Sequence, residues 1–116
     1  MKEVTKYLLE KRVLENDTLY WITKHKRWCK SYGTTPKTIK FNEVIVYVED
    51  LTLQYQNEVT VNMILRQVKW YYEYLLEERK IRRNLFDHRY LNKEKRRIFK
   101  HITSLMNVPN RFEQLT

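Results

Sequence analysis

An apolar stripe with helical spacing runs from Thr60 to Lys80, and it constrains the possible folds more than any other feature of the chain. Apolar and aromatic residues recur there every three or four positions, as they do along the buried side of an α-helix. These residues are Val61, Ile64, Leu65, Val68, Tyr71, Tyr72, Leu75 and Leu76. The opposite side carries Asn62, Met63, Arg66, Gln67, Lys69, Trp70 and Tyr74. The spacing therefore predicts a long amphipathic helix with one buried and one outward side.

Four further segments show the same spacing: Lys2 to Leu14, Asp17 to Tyr32, Asn42 to Tyr55 and Asn92 to Met106. Asn16 or Asp17 is the expected N-cap of the second helix, because a short polar side chain can accept hydrogen bonds from free backbone N–H groups. Gly33 stands where that helix should end in a left-handed residue. The residues expected to be buried in these helices are Val4, Tyr7, Leu8, Leu9, Thr18, Trp21, Ile22, His25, Trp28, Cys29, Tyr32, Val44, Tyr47, Val48, Leu51, Tyr55, Ile98, Ile102, Leu105 and Met106.

The β-branched run VIVYV in the third segment could equally form a strand. We predict a helix there, because no second strand is found nearby to pair with it. One Gly and two Pro are very few for the many tight turns of a β-rich fold. A chain of 116 residues suits one small domain with a single core. The predicted fold class is therefore all-α, a small bundle of four to five helices.

The chain lacks the sequence patterns of common catalytic and metal sites. It contains no glycine-rich phosphate loop, no GxSxG and no HExxH motif. Its one cysteine, Cys29, cannot form an internal disulfide, and no His/Cys cluster has the spacing of metal ligands. His25 and Cys29 share an apolar stripe and are expected to pack in the core. We therefore expect no catalytic residue, no metal and no cofactor. The single cysteine indicates a reduced, cytoplasmic setting. No stretch of the sequence approaches the ~20 apolar residues that a membrane span needs.

Positive charge is concentrated in two parts of the sequence. The net charge is +9, and the stretch from Lys24 to Lys40 holds six Lys or Arg and no acid. Bases also greatly outnumber acids from Arg79 to His101, whereas Glu43, Glu49, Asp50 and Glu58 lie on or beside the third predicted helix. This segregation predicts a basic side that binds phosphates and releases condensed counterions. A merely solvated basic face is the alternative.

The outward side of the fourth predicted helix carries residue types that form base-specific hydrogen bonds with DNA. Arg pairs with guanine, and Asn or Gln pairs with adenine, through two parallel hydrogen bonds in the major groove. Arg66, Gln67 and Asn62 are therefore candidates for base contacts, with Lys69 placed for a flanking phosphate. Trp70 and Tyr74 lie on the same side, and such a pair is more often packed under another helix than exposed.

The segment read as T-V-N-x-x-L-x-x-V-K-x-Y-Y-x-Y-L, followed by I-x-x-N, resembles the N-terminal core-binding domain of tyrosine recombinases, the phage-integrase family. The matching positions are Thr60, Val61, Asn62, Leu65, Val68, Lys69, Tyr71, Tyr72, Tyr74, Leu75, Ile81 and Asn84. The upstream stretches YLLEKRVLENDTLYWITKHKRWCKSY and IKFNEVIVYVEDL are similar to the preceding helices of that domain. Leu85 replaces the usual Pro, and Arg79–Lys80 stand where a Gly often occurs. The resemblance covers about residues 5–86.

The resemblance implies a SAM-like helical bundle over residues 1–86 that forms half of a clamp around double-stranded DNA. It implies DNA contacts from Thr18, Lys24, Arg27, Lys30, Asn62, Met63, Arg66, Gln67 and Lys69. Residues 87–116 would then be a basic helix and tail leading toward an absent catalytic domain, and truncation of a full integrase is preferred over a stand-alone binding protein. The isolated chain is expected to be a monomer that assembles with other recombinase protomers on DNA, with phosphate contacts from the second, fourth and fifth helices.

Two other functions stay open. A helical protein–protein interaction module would use Trp70 and Tyr74 as its docking patch. A small DNA-binding transcriptional regulator would form a dimer and recognise a palindromic site. An enzyme acting alone is the least favoured reading, since no catalytic arrangement supports it.

Overall fold

The computed structural model describes residues 2–115 and the side chains of residues 2–105. It consists of five α-helices: α1 (Lys2–Glu10), α2 (Thr18–Tyr32), α3 (Phe41–Tyr55), α4 (Glu58–Glu77) and α5 (His88–Leu115). Residues 2–115 contain no strand, so the predicted all-α class is confirmed and the VIVYV run is helical. None of the helices in this range is both long and apolar enough to cross a membrane.

The predicted helix ends differ from the observed ones because local backbone geometry decides where each helix stops. α1 ends at Glu10, four residues early, and Arg12 just beyond it has a positive φ of 59°. α4 begins at Glu58 because the Asn57 side chain accepts hydrogen bonds from the N–H groups of Val59 and Thr60, at 2.9 and 3.2 Å. Such caps and left-handed residues carry weaker sequence signals than the periodic core.

Both predicted ends of α2 can be compared with the structure. Gly33 follows the helix with φ 90°, and the next N–H, from Thr34, donates to the carbonyl of Cys29 at 2.9 Å. The predicted C-terminal glycine is therefore confirmed. Asp17 does precede the first residue of α2, but its side chain makes no capping hydrogen bond. Its carboxylate instead accepts a 2.9 Å hydrogen bond from the indole of Trp21.

α4 is the central helix of the bundle and packs against α1, α2 and α3. The predicted stripe is buried from Val61 to Leu75, while Leu76 is half-buried. α5 packs mainly on α3 and adds four apolar side chains to the same core: Leu91, Ile98, Phe99 and Ile102. The segment after residue 86 is thus joined to the bundle by a shared core.

Three residues expected in the core are exposed: Leu9, Tyr32 and Leu105. Leu9 stays exposed because α1 packs mainly on α4, through Val4 and Leu8 on another side of the helix. Tyr32, in the last turn of α2, stacks on Trp28 with ring centroids 4.9 Å apart and stays open to solvent. The Met106 side chain, also expected in the core, lies outside the described residues.

Candidate nucleic-acid interface

A groove of about 880 Å³ runs between α4 and α5. Its walls are formed by both helices and by the connection between them. The lining residues are Val59, Asn62, Met63, Leu65, Arg66, Lys69, Trp70, Phe86, His88, Leu91 and Lys95. Four of the predicted DNA-binding residues, Asn62, Met63, Arg66 and Lys69, are therefore brought together in one place.

Polar contacts join α4 and α5 at both ends of the groove. Near the start of α4, the Lys95 ammonium donates a 3.0 Å hydrogen bond to the amide oxygen of Asn62. Near its end, the buried Asn84 amide donates to the backbone carbonyl of Lys69 and to the carboxylate of Glu73, both at 3.0 Å. α5 therefore runs antiparallel to α4, and Asn84 holds the connection that starts it.

Cationic side chains surround the mouth of the groove. Arg66, Lys69 and Lys95 belong to its lining, and none of the lining residues carries a carboxylate. Partial burial lowers the pKa of Lys95 first, and repulsion from Lys69 and Arg96 lowers it further. The cations of the lining are thus close enough to repel one another, which makes the groove mouth a favourable place for an anion.

Two nearby carboxylates partly balance these cations from outside the groove. Arg66 forms an ion pair with Glu15 at 3.0 Å, and both side chains are about half-exposed. The pKa of Asp87 is lowered mainly by the backbone N–H of Arg89 and, more weakly, by the charges of Arg89 and Lys69. An exposed ion pair contributes only about 0–1 kcal/mol, so Arg66 can exchange Glu15 for another anion.

Gln67 does not face outward, so its predicted exposure is wrong. Thr18 is buried as the apolar stripe of α2 predicted, which leaves no exposed hydroxyl for the DNA contact that the resemblance implies. Gln67 is 2% exposed, and its amide nitrogen donates to the sulfur of Met63 at 2.8 Å and to Asp17 at 3.4 Å. Thr18 is fully buried, and its hydroxyl accepts a 2.8 Å hydrogen bond from the N–H of Glu15. The start of α2 packs onto α4 at this point, so neither side chain can reach DNA without leaving the core.

The three cations predicted on α2 lie outside the groove. Arg27 and Lys30 are exposed, and Lys24 is half-exposed. The Lys24 ammonium lies 5.3 Å from the ring centroid of Tyr20. The pKa of Lys24 is raised, mainly because its ammonium hydrogen-bonds to Tyr20. These residues remain available for phosphate contacts, but they form a second surface separate from the groove lining.

Trp70 and Tyr74 have different surroundings, although they lie one turn apart. Tyr74 is 4% exposed beneath α1, where its hydroxyl donates to Glu3 at 3.1 Å and its ring meets Tyr7 edge-on at 5.5 Å. Trp70 is half-buried and lines the groove. The packed position expected for this pair is therefore confirmed for Tyr74, and the two rings do not form one exposed docking patch.

Sequence reasoning missed Lys95 and His88 as members of the groove lining. The only signal for Lys95 was the dense positive charge in the first turns of the fifth predicted helix, and His88 lay outside the predicted bounds of that helix. Periodicity identifies the buried side of α5, but it does not show which neighbouring helix lies next to that side. The angle between α4 and α5 decides this, and tertiary packing sets that angle.

The most buried titratable groups form a structural cluster in the core. His25 Nε2 and the Tyr72 hydroxyl are 2.7 Å apart, and the sulfur of Cys29 lies 3.5 Å from the same nitrogen. Burial lowers the pKa of His25 to about 3 and raises that of Cys29 to about 11, so both are neutral near pH 7. Among the described residues, no group of three or more His, Cys, Asp or Glu side chains could hold a metal ion.

Comparison of the chain with protein-family models, with curated proteins and with solved structures gave no match. The resemblance to integrase core-binding domains therefore stays a prediction carried by the motifs in α2 and α4.

Proposed function

We propose that this chain binds double-stranded DNA, with the mouth of the α4–α5 groove as its main contact surface. The observation that supports the proposal is the convergence of Arg66, Lys69 and Lys95 around the amide of Asn62, in a lining that contains no carboxylate. In finer detail, we propose that it is the non-catalytic core-binding domain of a site-specific tyrosine recombinase that moves a mobile element. The sequence resemblance supports this finer statement.

Phosphate binding at the groove mouth has a clear physical basis. Each phosphate neutralised by Lys or Arg releases a condensed counterion, which favours binding at low salt. Binding also relieves the mutual repulsion that contributes to the lowered pKa of Lys95. The exposed cations of α2, Arg27 and Lys30, would hold neighbouring phosphates of the same duplex.

Sequence preference would come from Arg66 and Asn62. The Arg66 guanidinium suits the two acceptors of guanine, and an Asn amide suits adenine. Each is reachable, since both side chains are exposed. Asn62 must first release the ammonium of Lys95, which can then move to a phosphate. Because Gln67 is buried, two residues rather than the three predicted from the sequence remain for base contacts.

The first test is fluorescence anisotropy of the full chain with a random-sequence DNA duplex across a salt series, followed by sequencing of the bound fraction. We expect the logarithm of affinity to fall linearly with the logarithm of salt concentration, by about 0.9 per phosphate contact. No binding at low salt would reject the proposal. An enriched asymmetric half-site would support the recombinase assignment, whereas a palindrome bound by a dimer would favour a transcriptional regulator.

Variants separate base contacts from phosphate contacts. Arg66→Ala should relax the sequence preference by about 1–3 kcal/mol, whereas Lys30→Ala should weaken all sequences alike. Lys6→Ala, which removes the same charge from the exposed side of α1, is the matched control and should change little. If Arg66→Ala and Lys30→Ala both behave like Lys6→Ala, the proposed surface is wrong.

The proposal also specifies the state of the protein. The isolated chain would be a monomer in the cytoplasm and would assemble with other recombinase protomers only on DNA. Sedimentation of the chain with and without a duplex tests this directly. A stable dimer in the absence of DNA would count against the recombinase assignment.

A further inference from the structure

The interior of the α4–α5 groove differs chemically from its mouth. Four of its lining side chains form an apolar, partly aromatic floor: Leu65, Trp70, Phe86 and Leu91. Leu65, Phe86 and Leu91 are buried, and Trp70 is half-buried. Cations at the mouth and an apolar floor beneath them suit a ligand that is itself both anionic and apolar.

Double-stranded DNA alone does not use this floor. A duplex keeps its bases stacked inside and presents phosphates and sugars on its outer surface. It can receive a helix into its major groove, which is about 12 Å wide, but it cannot enter a groove between two helices of a small domain. The mouth of the groove suits a duplex backbone, and the floor is left for another chemical group.

An unpaired nucleobase has the properties that the floor requires. It offers a flat π surface for stacking on an aromatic ring, and its polar edges can meet an amide. The ammonium of Lys69 lies over the Trp70 ring, 5.5 Å from its centroid. A base that stacks on this face would displace the ammonium, which could then pair with the phosphate of the same nucleotide. Lys95 and Asn62 belong to the same lining and are joined by a 3.0 Å hydrogen bond.

We propose that the α4–α5 groove binds single-stranded nucleic acid, with one unpaired base against Trp70 and the adjoining phosphates on Lys69 and Lys95. This inference rests on the proposed binding of nucleic acid by this surface. It adds that the interior of the groove binds a single strand, whereas the mouth binds a duplex. An acidic peptide without aromatic side chains would satisfy the cations equally, but it would leave the Trp70 ring unstacked.

The test that needs no variant compares two strands of the same length on the full chain. One is a mixed-sequence single strand of about 12 nucleotides, within the usual range of site sizes, and the other is an abasic strand with the same number of phosphates. Anisotropy at low salt should give an affinity at least about fivefold higher for the strand with bases, because stacking is worth about 1–3 kcal/mol per base. Equal affinities, or no binding of either strand, would overturn the inference.

Variants assign the effect to the groove. Trp70→Leu should lower single-strand affinity at least about fivefold, Trp70→Phe should retain most of it, and neither should change duplex affinity more than about twofold. Tyr90→Leu, which removes an exposed ring that lies outside the groove lining, is the matched control and should have no effect. Thermal melting of each variant establishes that it is folded. A Trp70→Leu protein that melts like wild type but keeps its single-strand affinity would contradict the assignment.

The duplex measurement separates the two proposals. If the abasic strand binds as well as the normal strand while a duplex binds in a salt-dependent way, this inference fails and the proposed function stands. If the normal strand binds best and no duplex binds, the proposed duplex function fails and the groove is a single-strand site.

Discussion

His25 is a fully buried imidazole whose only described hydrogen-bonding neighbours are Tyr72 and Cys29. The rings of Tyr47 and Phe86 meet it edge-on, at centroid distances of 4.5 and 5.5 Å. Its Nδ1 atom has no hydrogen-bond partner, so protonation would leave a buried charge with an unsatisfied donor. The neutral form is therefore the one that the folded chain accommodates.

This environment predicts an acid-sensitive core. The unfolded chain binds a proton at His25 near pH 6.5, whereas in the folded chain burial lowers the pKa to about 3. Lowering the pH through this range therefore favours unfolding, by up to about 1.4 kcal/mol per pH unit. Urea denaturation between pH 7 and 5 measures the slope. His25→Gln, which has no titrating imidazole, should give a flatter profile; parallel profiles would refute the assignment.

A second prediction at the residue scale concerns Glu15, the ion-pair partner of Arg66. Its carboxylate competes with phosphate for this guanidinium and repels an approaching DNA backbone. Glu15→Gln should therefore raise duplex affinity about two- to fivefold, the size expected for an exposed pair. Glu10→Gln removes an equal charge from the exposed end of α1 and serves as the control in the same anisotropy assay. An equal gain from both variants would mean that only net charge matters.

Among the elements, α2 shows how one residue can determine a helix end. Gly33 adopts φ 90°, and a Cβ built on it would meet nothing within 4 Å. Any substitution there is therefore penalised through backbone strain rather than through a clash. Gly33→Ala should lower the free energy of unfolding by about 1–2 kcal/mol, the cost of the left-handed conformation. Gly33→Asn should cost less, because Asn tolerates this region; equal losses in urea denaturation would contradict the explanation.

α4 illustrates the limit of helical periodicity. Its buried stripe was predicted correctly, but Gln67 and Tyr74 on the opposite side are also buried. Both lie at the edge of the stripe, where α2 and α1 pack against the same helix. The width of the buried side of a helix depends on how many other helices pack against it, and the sequence of the helix alone does not determine that number.

At the scale of the whole molecule, α5 and the first four helices share one core through Ile98, Phe99 and Ile102. Ile98→Ala should destabilise the entire domain by about 2–5 kcal/mol, as expected for a truncated core residue. Circular dichroism and tryptophan fluorescence should report the same shifted transition in urea. Lys100→Ala, on the exposed side of α5, should stay within about 0.5 kcal/mol of wild type. An unchanged midpoint for Ile98→Ala would mean that α5 unfolds separately.

The distribution of charge over the molecule is more complex than the sequence suggested. The acids of α3 were expected to form the negative side, yet carboxylates also gather where α1 meets the end of α4. Burial, followed by the charges of Glu77 and Glu73, raises the pKa of Tyr7 to about 12. α4 thus carries cations in its middle turns and carboxylates in its last turns, so that the α4–α5 groove faces the basic part of the helix.

By itself, the sequence determined the number of helices, their all-α class and most of the buried stripe of α4, because these follow from local periodicity and the scarcity of Gly and Pro. Only the tertiary structure decided which outward residues meet. It placed Gln67 in the core and brought Lys95 beside Asn62. The physical reason is that a groove is formed by two helices at a particular distance and angle, which side-chain packing across the whole core sets.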